Sequence, residues 1–429
     1  MSKNKKLFSL VAEISTAIVE AQKPIQILDA IKWKDGIFEQ FKKSNFKELP
    51  QTDKSYYSDI PLKFDAKSKI QEFEEIRKLI EKKIGKAEPV AQILLRNCKQ
   101  YEDVVRMLLA RGTLDFYKYS KDLFGSSNDV LLDGKTSLIE AGTMLSEILI
   151  FIENADLGVC YLKNIPSEDA VASLNDRLTN YFHDTEVTVK LDDGILSDAA
   201  AGSNYIKIRP NLMFSERDID IFEVHEGWVH VGTTLNGTNQ PFAKWLSKGP
   251  PCTTSAQEGL AFLLEVFTFV CTPERLKKIN NRLVACEMIE SGANFNHVFN
   301  FFKNLNQTDE QAFKNAHRLF RGGLTTGGAP FTKDISYSKG FIETYNFIRS
   351  SVRIGKPDMI PFLFSGKVTL EDVPVLYEYS KEGLIERPKY LPPQFNDLNG
   401  IAVWMTFSNF LNKISLETIS KNLKQDINK

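Results

Sequence analysis

Histidine is scarce in this chain, with five in 429 residues. Cysteine is as rare: Cys98, Cys160, Cys252, Cys271 and Cys286 are scattered, odd in number and never in a CxxC pair. That argues against a disulfide framework and a Cys-based zinc site, and it implies reduced, buried thiols in a reducing compartment. Net charge is nearly absent, 54 Lys plus Arg standing against 55 Asp plus Glu, so nothing in the summed charge calls for nucleic acid or an anionic membrane as partner. Long apolar runs are missing too. Ile401 to Leu411 falls far short of the ~18 to 20 apolar residues of a membrane span. The first segment, Met1 to Ala21, opens on lysines and is broken by Glu13 and Glu20 with no small-residue cleavage site, which disfavours a secretory signal. No repeat or low-complexity tract is evident. The expectation is a soluble, cytoplasmic protein with no nucleic-acid or membrane partner.

What is present is the composition of an ordinary globular protein, 25% charged and 42% hydrophobic. The length suggests two or three units, here placed at 1–165, 166–385 and 386–429. The first reads as helices. Asp65 opens a run with Ile70, Phe73, Ile76, Leu79, Ile80 and Ile84 at helical spacing, closed by Gly85 and Pro89. Further helices follow from Pro89 to Gly112 and between Ser137 and Asn154. Residues 43–62 read as a loop, and Pro166 fits the first turn of another helix. After His183 the period changes: Glu186 to Leu191 (EVTVKL) alternates and Ser203 to Arg209 (SNYIKIR) is β-like, with Asp192 to Gly194 as a turn. Ser215 with Asp218, and Thr308 with Gln311, are capping-box signatures. Thr272–Pro273 is a cap followed by proline, and Thr332 is expected to cap the next helix. Helices and a small sheet or hairpin give an α+β fold, mainly helical.

Residues 221–232 read IFEVHEGWVHVG, so His225, Glu226 and His230 form H-E-x-x-x-H. Neutral imidazoles suit zinc, and a carboxylate beside them suits a general base that takes a proton from water attacking a carbonyl. The spacing of five is a departure from the usual four. On an ideal α-helix positions i and i+5 lie about 140° apart, too divergent for one ion. On a regular helix the two histidines would never meet; the expectation is a π-type turn or helix break between them that brings them together, with Gly227 lowering its cost. His183, His297 and His317 have no such company and read as ordinary polar or packing residues.

A catalytic zinc takes three protein ligands and leaves one position open. Glu258 of the segment QEGLA, near the head of an apolar helix, supplies a third; taken alone it could equally complement the helix dipole. Phe262, Val266, Phe267 and Phe269 beyond it are expected in the core, and Trp228 and Trp245 in core or cleft-wall packing.

HEGWVHVGTTLNG, QEGLA and RGGLTTGG–FTKDISYSKG together resemble the QEGLA-motif proteins, whose bacterial members are called flavohemoglobin expression-modulating. Their animal relatives are the microtubule-associated tyrosine carboxypeptidases, which remove the C-terminal tyrosine of α-tubulin. The resemblance covers roughly residues 60–385. It implies a zincin-like metallopeptidase in which His225, His230 and Glu258 bind Zn2+ and Glu226 is the catalytic base, with a small sheet beside the metal helix. The Leu-rich arms of the animal proteins have no counterpart here.

A carboxypeptidase also needs an oxyanion donor and a cation for the substrate's terminal carboxylate. Tyr337 is the candidate for the first, and Arg321 or Lys333 for the second, beside a Gly-rich loop. Lys207 and Arg209 are further carboxylate candidates, on a stretch, Ser203 to Arg209, that by analogy with zincins could be an edge receiving substrate backbone. The function read from the sequence is removal of a C-terminal residue, aromatic ones included, from a peptide or protein. A zinc amidase acting on another small amide or cell-wall peptide, and a regulatory zinc-binding protein without turnover, are the alternatives. An intact Glu226 tells against the last.

Overall fold

The structure is a computed structural model that describes residues 3–153, 157, 161–411, 413 and 414. Cys160 lies outside them. The fold is mainly helical with two small sheets, as an α+β reading requires.

Local signals set most helix starts. Asp65 accepts the Ser68 amide at 2.7 Å and opens Ala66–Lys83, whose Phe73, Ile76 and Ile80 are buried. Pro89 is the first residue of Pro89–Leu109, and Pro273, behind the Thr272 cap, the first of Pro273–Glu290. The Ser215–Asp218 and Thr308–Gln311 boxes both form. Three expectations need correcting. Pro166 is the cap rather than the first turn of Ser167–Tyr181, because its backbone is extended and pairs as a strand. Thr332 caps nothing; its buried hydroxyl meets Ser120 Oγ at 3.0 Å and a 3₁₀ turn, Thr332–Ile335, leads into Ser336–Arg353. Within 43–62, Asp53 caps a short helix, Lys54–Ser58.

The strands are β1 (Ile165–Pro166), β2 (Thr188–Leu191), β3 (Ala199–Ala201), β4 (Tyr205–Ile208) and β5 (Met213–Phe214). β1 pairs with β5, while β2, β4 and β3 form a sheet in that order. β2 runs parallel to β4, matching Thr188 with Tyr205, so the two predicted stretches share a sheet without forming a hairpin. β4 is therefore central. The edges are β2 and β3, the latter antiparallel to β4 with Ala200 opposite Lys207.

The largest apolar core draws on Phe8 to Ala21 and Phe73 to Tyr101, on Leu260 to Leu264, and on Phe395, Ile401 and Met405. Trp245 is buried in it, and Trp228 stacks on Tyr181 at 5.4 Å. Thr254–Phe267 crosses Ser336–Arg353 at Gly259, where a Cβ would come 2.0 Å from the Gly340 carbonyl carbon. Phe262 is buried, but Val266 is 38% and Phe269 79% exposed, against expectation. The helix stops at Phe267, and Phe269 at φ 58° turns the chain outward while the Val270 amide reaches back to Glu265 O. Cys98 and Cys286 are buried and Cys252 and Cys271 partly so, all four free. No helix of the described residues is long and apolar enough to cross a membrane.

Candidate metal centre

The Ser215–Asp218 box starts an α-helix, Glu216–Phe222, which passes into a π-helix over Glu223–Val231 and returns to α over Gly232–Asn239. The wider turn stacks positions five apart. His225 and His230, divergent on an α-helix, have ring centroids 4.8 Å apart with planes at 84°. Gly227 has a packing reason: a Cβ there would lie 2.5 Å from Leu178 Cδ2.

Glu258 comes to meet them from Thr254–Phe267. It is the fifth residue of that helix, past the first turn where a carboxylate would serve the dipole, and it is buried. Its Oε2 lies 3.5 Å from His225 Nε2 and 3.5 Å from His230 Nε2. Ligands about 2.1 Å from a tetrahedral zinc stand roughly 3.4 Å from one another. Among the described residues Oε2 has no hydrogen-bond partner, whereas Oε1 accepts from Lys333 Nζ at 2.9 Å. A buried carboxylate oxygen left unbonded between two imidazole nitrogens fits a cation. Among the described residues these three form the one His/Cys/Asp/Glu group placed to hold a metal ion.

The electrostatics favour positive charge there. Burial alone would lower His225, but Glu258 and Glu265 outweigh it and push its pKa up to about 9. Burial would raise Glu258, yet the Lys333 charge and the two imidazoles hold it well below the usual carboxylate range. Glu265, fully buried, accepts from His225 Nδ1 at 2.6 Å and is gripped by Arg275 through Nε and, at 2.6 Å, Nη2. The bond leaves His225 Nε2 facing Glu258. Sequence reasoning missed Glu265. The available signal was its spacing of seven from Glu258, two turns along one helix face.

A cleft of ≈ 700 Å³ runs past Glu226, His230 and Glu258, with β3 on its wall. Against the other side of His225 and Glu226 lies a cavity of ≈ 200 Å³. Ala199, Glu226, Arg318 and Tyr337 line both. Glu226 Oε2 accepts the Ala201 amide at 2.9 Å, so the edge strand holds this carboxylate. Tyr337 lies with its ring 6.2 Å from that of His225, and burial, then Glu258, raise its phenol well above the ordinary value, which keeps it a neutral donor.

The predicted carboxylate binders are placed unevenly. Arg321 is buried in the larger cleft wall over the Phe331 ring, and burial and Arg318 lower it to about 10. Lys333 lines the cleft too, but its ammonium is engaged by Glu258. Lys207 reaches the cleft wall paired with Asp192 at 2.7 Å. Arg209 lines neither cavity. The smaller cavity instead gathers Lys278, Arg282, Lys314 and Arg318, which sequence reasoning did not single out. Asp334 holds Arg318 through both oxygens, at 2.7 and 2.9 Å, and Lys314 lies 3.4 Å from Asp198. Arg282 Nε, 4.0 Å from Asp334, is buried with no hydrogen-bond partner among the described residues. His317 and His297 have structural roles: the first stacks on Trp33 at 4.3 Å and the second completes the Asn294 capping box.

No curated protein matches this sequence. The family model described as microtubule-associated tyrosine carboxypeptidase matches residues 39–413, nearly the whole chain and every residue of the centre. The chain therefore belongs to the microtubule-associated tyrosine carboxypeptidase family.

Proposed function

We propose that this chain is a zinc-dependent carboxypeptidase, zincin-like at its centre, that removes an apolar or aromatic residue from the C-terminus of a peptide or protein. Carboxypeptidase-type activity follows from the family. The observation that carries the metal is the unbonded Glu258 Oε2, 3.5 Å from both imidazole nitrogens. His225, His230 and Glu258 would hold the ion, which when bound polarises the scissile carbonyl and makes water nucleophilic at neutral pH.

The rest is the work of the chain's own groups. Glu226, adjacent to the ligand His225 and aimed by the Ala201 amide, accepts the proton of the attacking water and hands it to the leaving amine. Tyr337, kept protonated, donates to the developing oxyanion. The orientation of the substrate follows from β3. Its ladder bonds to β4 involve alternate residues, which turns the Ala199 and Ala201 amides away from β4. A strand laid antiparallel on that edge runs from Ala201 towards Ala199. Ala200 to Ser203 face the larger cleft alone and Asp198 the smaller cavity alone, so the C-terminal residue enters the smaller one. There Leu196, Ile221, Phe222 and Ile279 face its side chain, and Arg282 with Lys278 its carboxylate.

Metal analysis of the purified protein, with hydrolysis of matched free-acid and amidated peptides, tests this. One zinc per chain, activity lost to chelator and restored by zinc, and preference for the free acid are expected. A wild type that takes up no stoichiometric zinc, or that cleaves amidated peptides equally well, would overturn it.

A further inference from the structure

The two histidines and Glu258 sit on different helical segments, so their separation depends on whatever joins those segments. At the exit of the π-helix two side chains make the joint, the Lys367 amine and the Thr233 hydroxyl, both on Gln257 Oε1. Lys367 Nζ lies 2.9 Å from His230 O, 3.0 Å from Thr233 Oγ1 and 2.9 Å from Gln257 Oε1. An ammonium carries three donors, and here three oxygens meet them. His230 is a candidate ligand, and Gln257 immediately precedes another.

The surroundings show a built joint. The Gln257 amide is used at both ends: Oε1 takes Lys367 and the Thr233 hydroxyl, at 2.9 Å, while Nε2 donates to Gly366 O at 3.3 Å. Thr233 Oγ1 also stands 2.6 Å from Val229 O, and Thr234 Oγ1 donates to His230 O at 2.8 Å. Lys367 reaches this point because its loop presses on Leu246: the Lys367 amide donates to Leu246 O at 2.7 Å, and a Cβ on Gly366 would sit 2.4 Å from that oxygen. A π-helix is a costly local geometry that persists where surrounding contacts over-determine it.

We infer that Lys367 is a positioning residue, whose ammonium ties the His230 carbonyl to the Gln257 amide and so fixes the distance between the metal ligands His230 and Glu258. The inference rests on the metal centre proposed above. It also gives the first residue of QEGLA a task, as the acceptor that receives the tie. Lys367 lines the larger cleft, and its Nζ is taken up by these three oxygens.

The test compares wild type, Lys367→Met and Gln257→Leu by zinc affinity, measured by competition with a chromophoric chelator, and by the visible spectrum of the cobalt(II)-loaded protein. Loss of an outer partner of a metal ligand typically weakens metal binding about 10- to 100-fold. Both variants are expected to show a loss of that size and an altered cobalt spectrum. Gln257→Leu keeps the Lys367 amine and removes its acceptor, together with the Thr233 and Gly366 bonds of the same amide. If Lys367→Met bound zinc more tightly while Gln257→Leu matched wild type, the ammonium would act by charge alone and the inference would fall. Wild-type affinity and spectrum in both variants would overturn it as well. Should Lys367→Met not fold, Thr233→Val with Gln257→Leu decides by the same readouts. A wild type that binds neither metal defeats the metal centre itself, an outcome distinct from these.

Discussion

Glu265 Oε1 stands 2.6 Å from His225 Nδ1, and Arg275 holds the same carboxylate from its far side. A buried anion paired with a guanidinium thus fixes the tautomer and the ring plane of one candidate ligand. Glu265 lies on the helix that carries Glu258, so two turns of one helix supply one candidate ligand and the support of another.

Removing that support should weaken the centre without abolishing it. Glu265→Ala is expected to lower zinc affinity about 10- to 100-fold, as loss of such partners does. Glu265→Gln, which can still accept from Nδ1, should lose less. Chelator competition measures both, and an Ala variant that holds zinc like wild type would show that packing alone orients His225.

Glu226→Gln separates the base from the metal. The amide keeps the size and can still accept the Ala201 N–H, but it cannot take a proton from water. Turnover should fall by about 10² to 10⁴ with zinc stoichiometry unchanged. Undiminished hydrolysis by this variant would remove Glu226 from its role.

How much of this centre could be read from sequence depends on where each constraint lies. The π-helix was legible because it is local: histidines five positions apart cannot converge on an α-helix, so a π-type turn or a helix break is needed to bring them together. The edge strand was not, since Ala199 to Ala201 carry no β signal and become a strand only by pairing with β4. Ser203 to Arg209 has the stronger pattern and lies in the middle of the sheet. Lys278, Arg282 and Arg318 sit on two helices, Pro273–Glu290 and Asp309–Phe320, where they read as solvated faces until the fold turns those faces together.

Tyr337→Phe tests the oxyanion donor. The phenol is kept neutral by burial and by Glu258, so it is available throughout the working pH range. Loss of one such donor costs about 10² to 10³ in kcat, and KM should change little because the ground-state carbonyl gains little from it. A change confined to KM would assign Tyr337 to substrate binding.

The smaller cavity predicts how recognition varies with pH. Lys278 stands solvent-accessible in its wall, and desolvation by the surrounding protein together with Arg282 draws its pKa down to about 8. The amine is charged below that value and neutral above it. KM for a free-acid peptide should therefore rise as pH passes 8, and Lys278→Met should remove that rise. Arg282→Met should raise KM about 10- to 100-fold, the worth of a hydrogen bond to a charged group, and leave amidated peptides unaffected. Equal losses on both peptides would place the terminal carboxylate elsewhere.

Gly259 and Gly340 give a prediction about stability that also touches function. A Cβ on Gly259 would meet the Gly340 carbonyl carbon at 2.0 Å and its oxygen at 2.2 Å, both backbone atoms that cannot swing aside. Gly259→Ala must push Thr254–Phe267 away from Ser336–Arg353, at a cost of about 1–3 kcal/mol or more. Those helices carry Glu258 and Tyr337, so activity should fall even at temperatures where the variant is folded. Gly400 provides the contrast: it is helical, and nothing lies within 4 Å of its Cβ position. Gly400→Ala should therefore stabilise the chain by about 0.5–1 kcal/mol, with turnover unchanged. Thermal melts and rates on the two variants check both, and a Gly259→Ala protein as stable and active as wild type would mean that the helices can part without moving the centre.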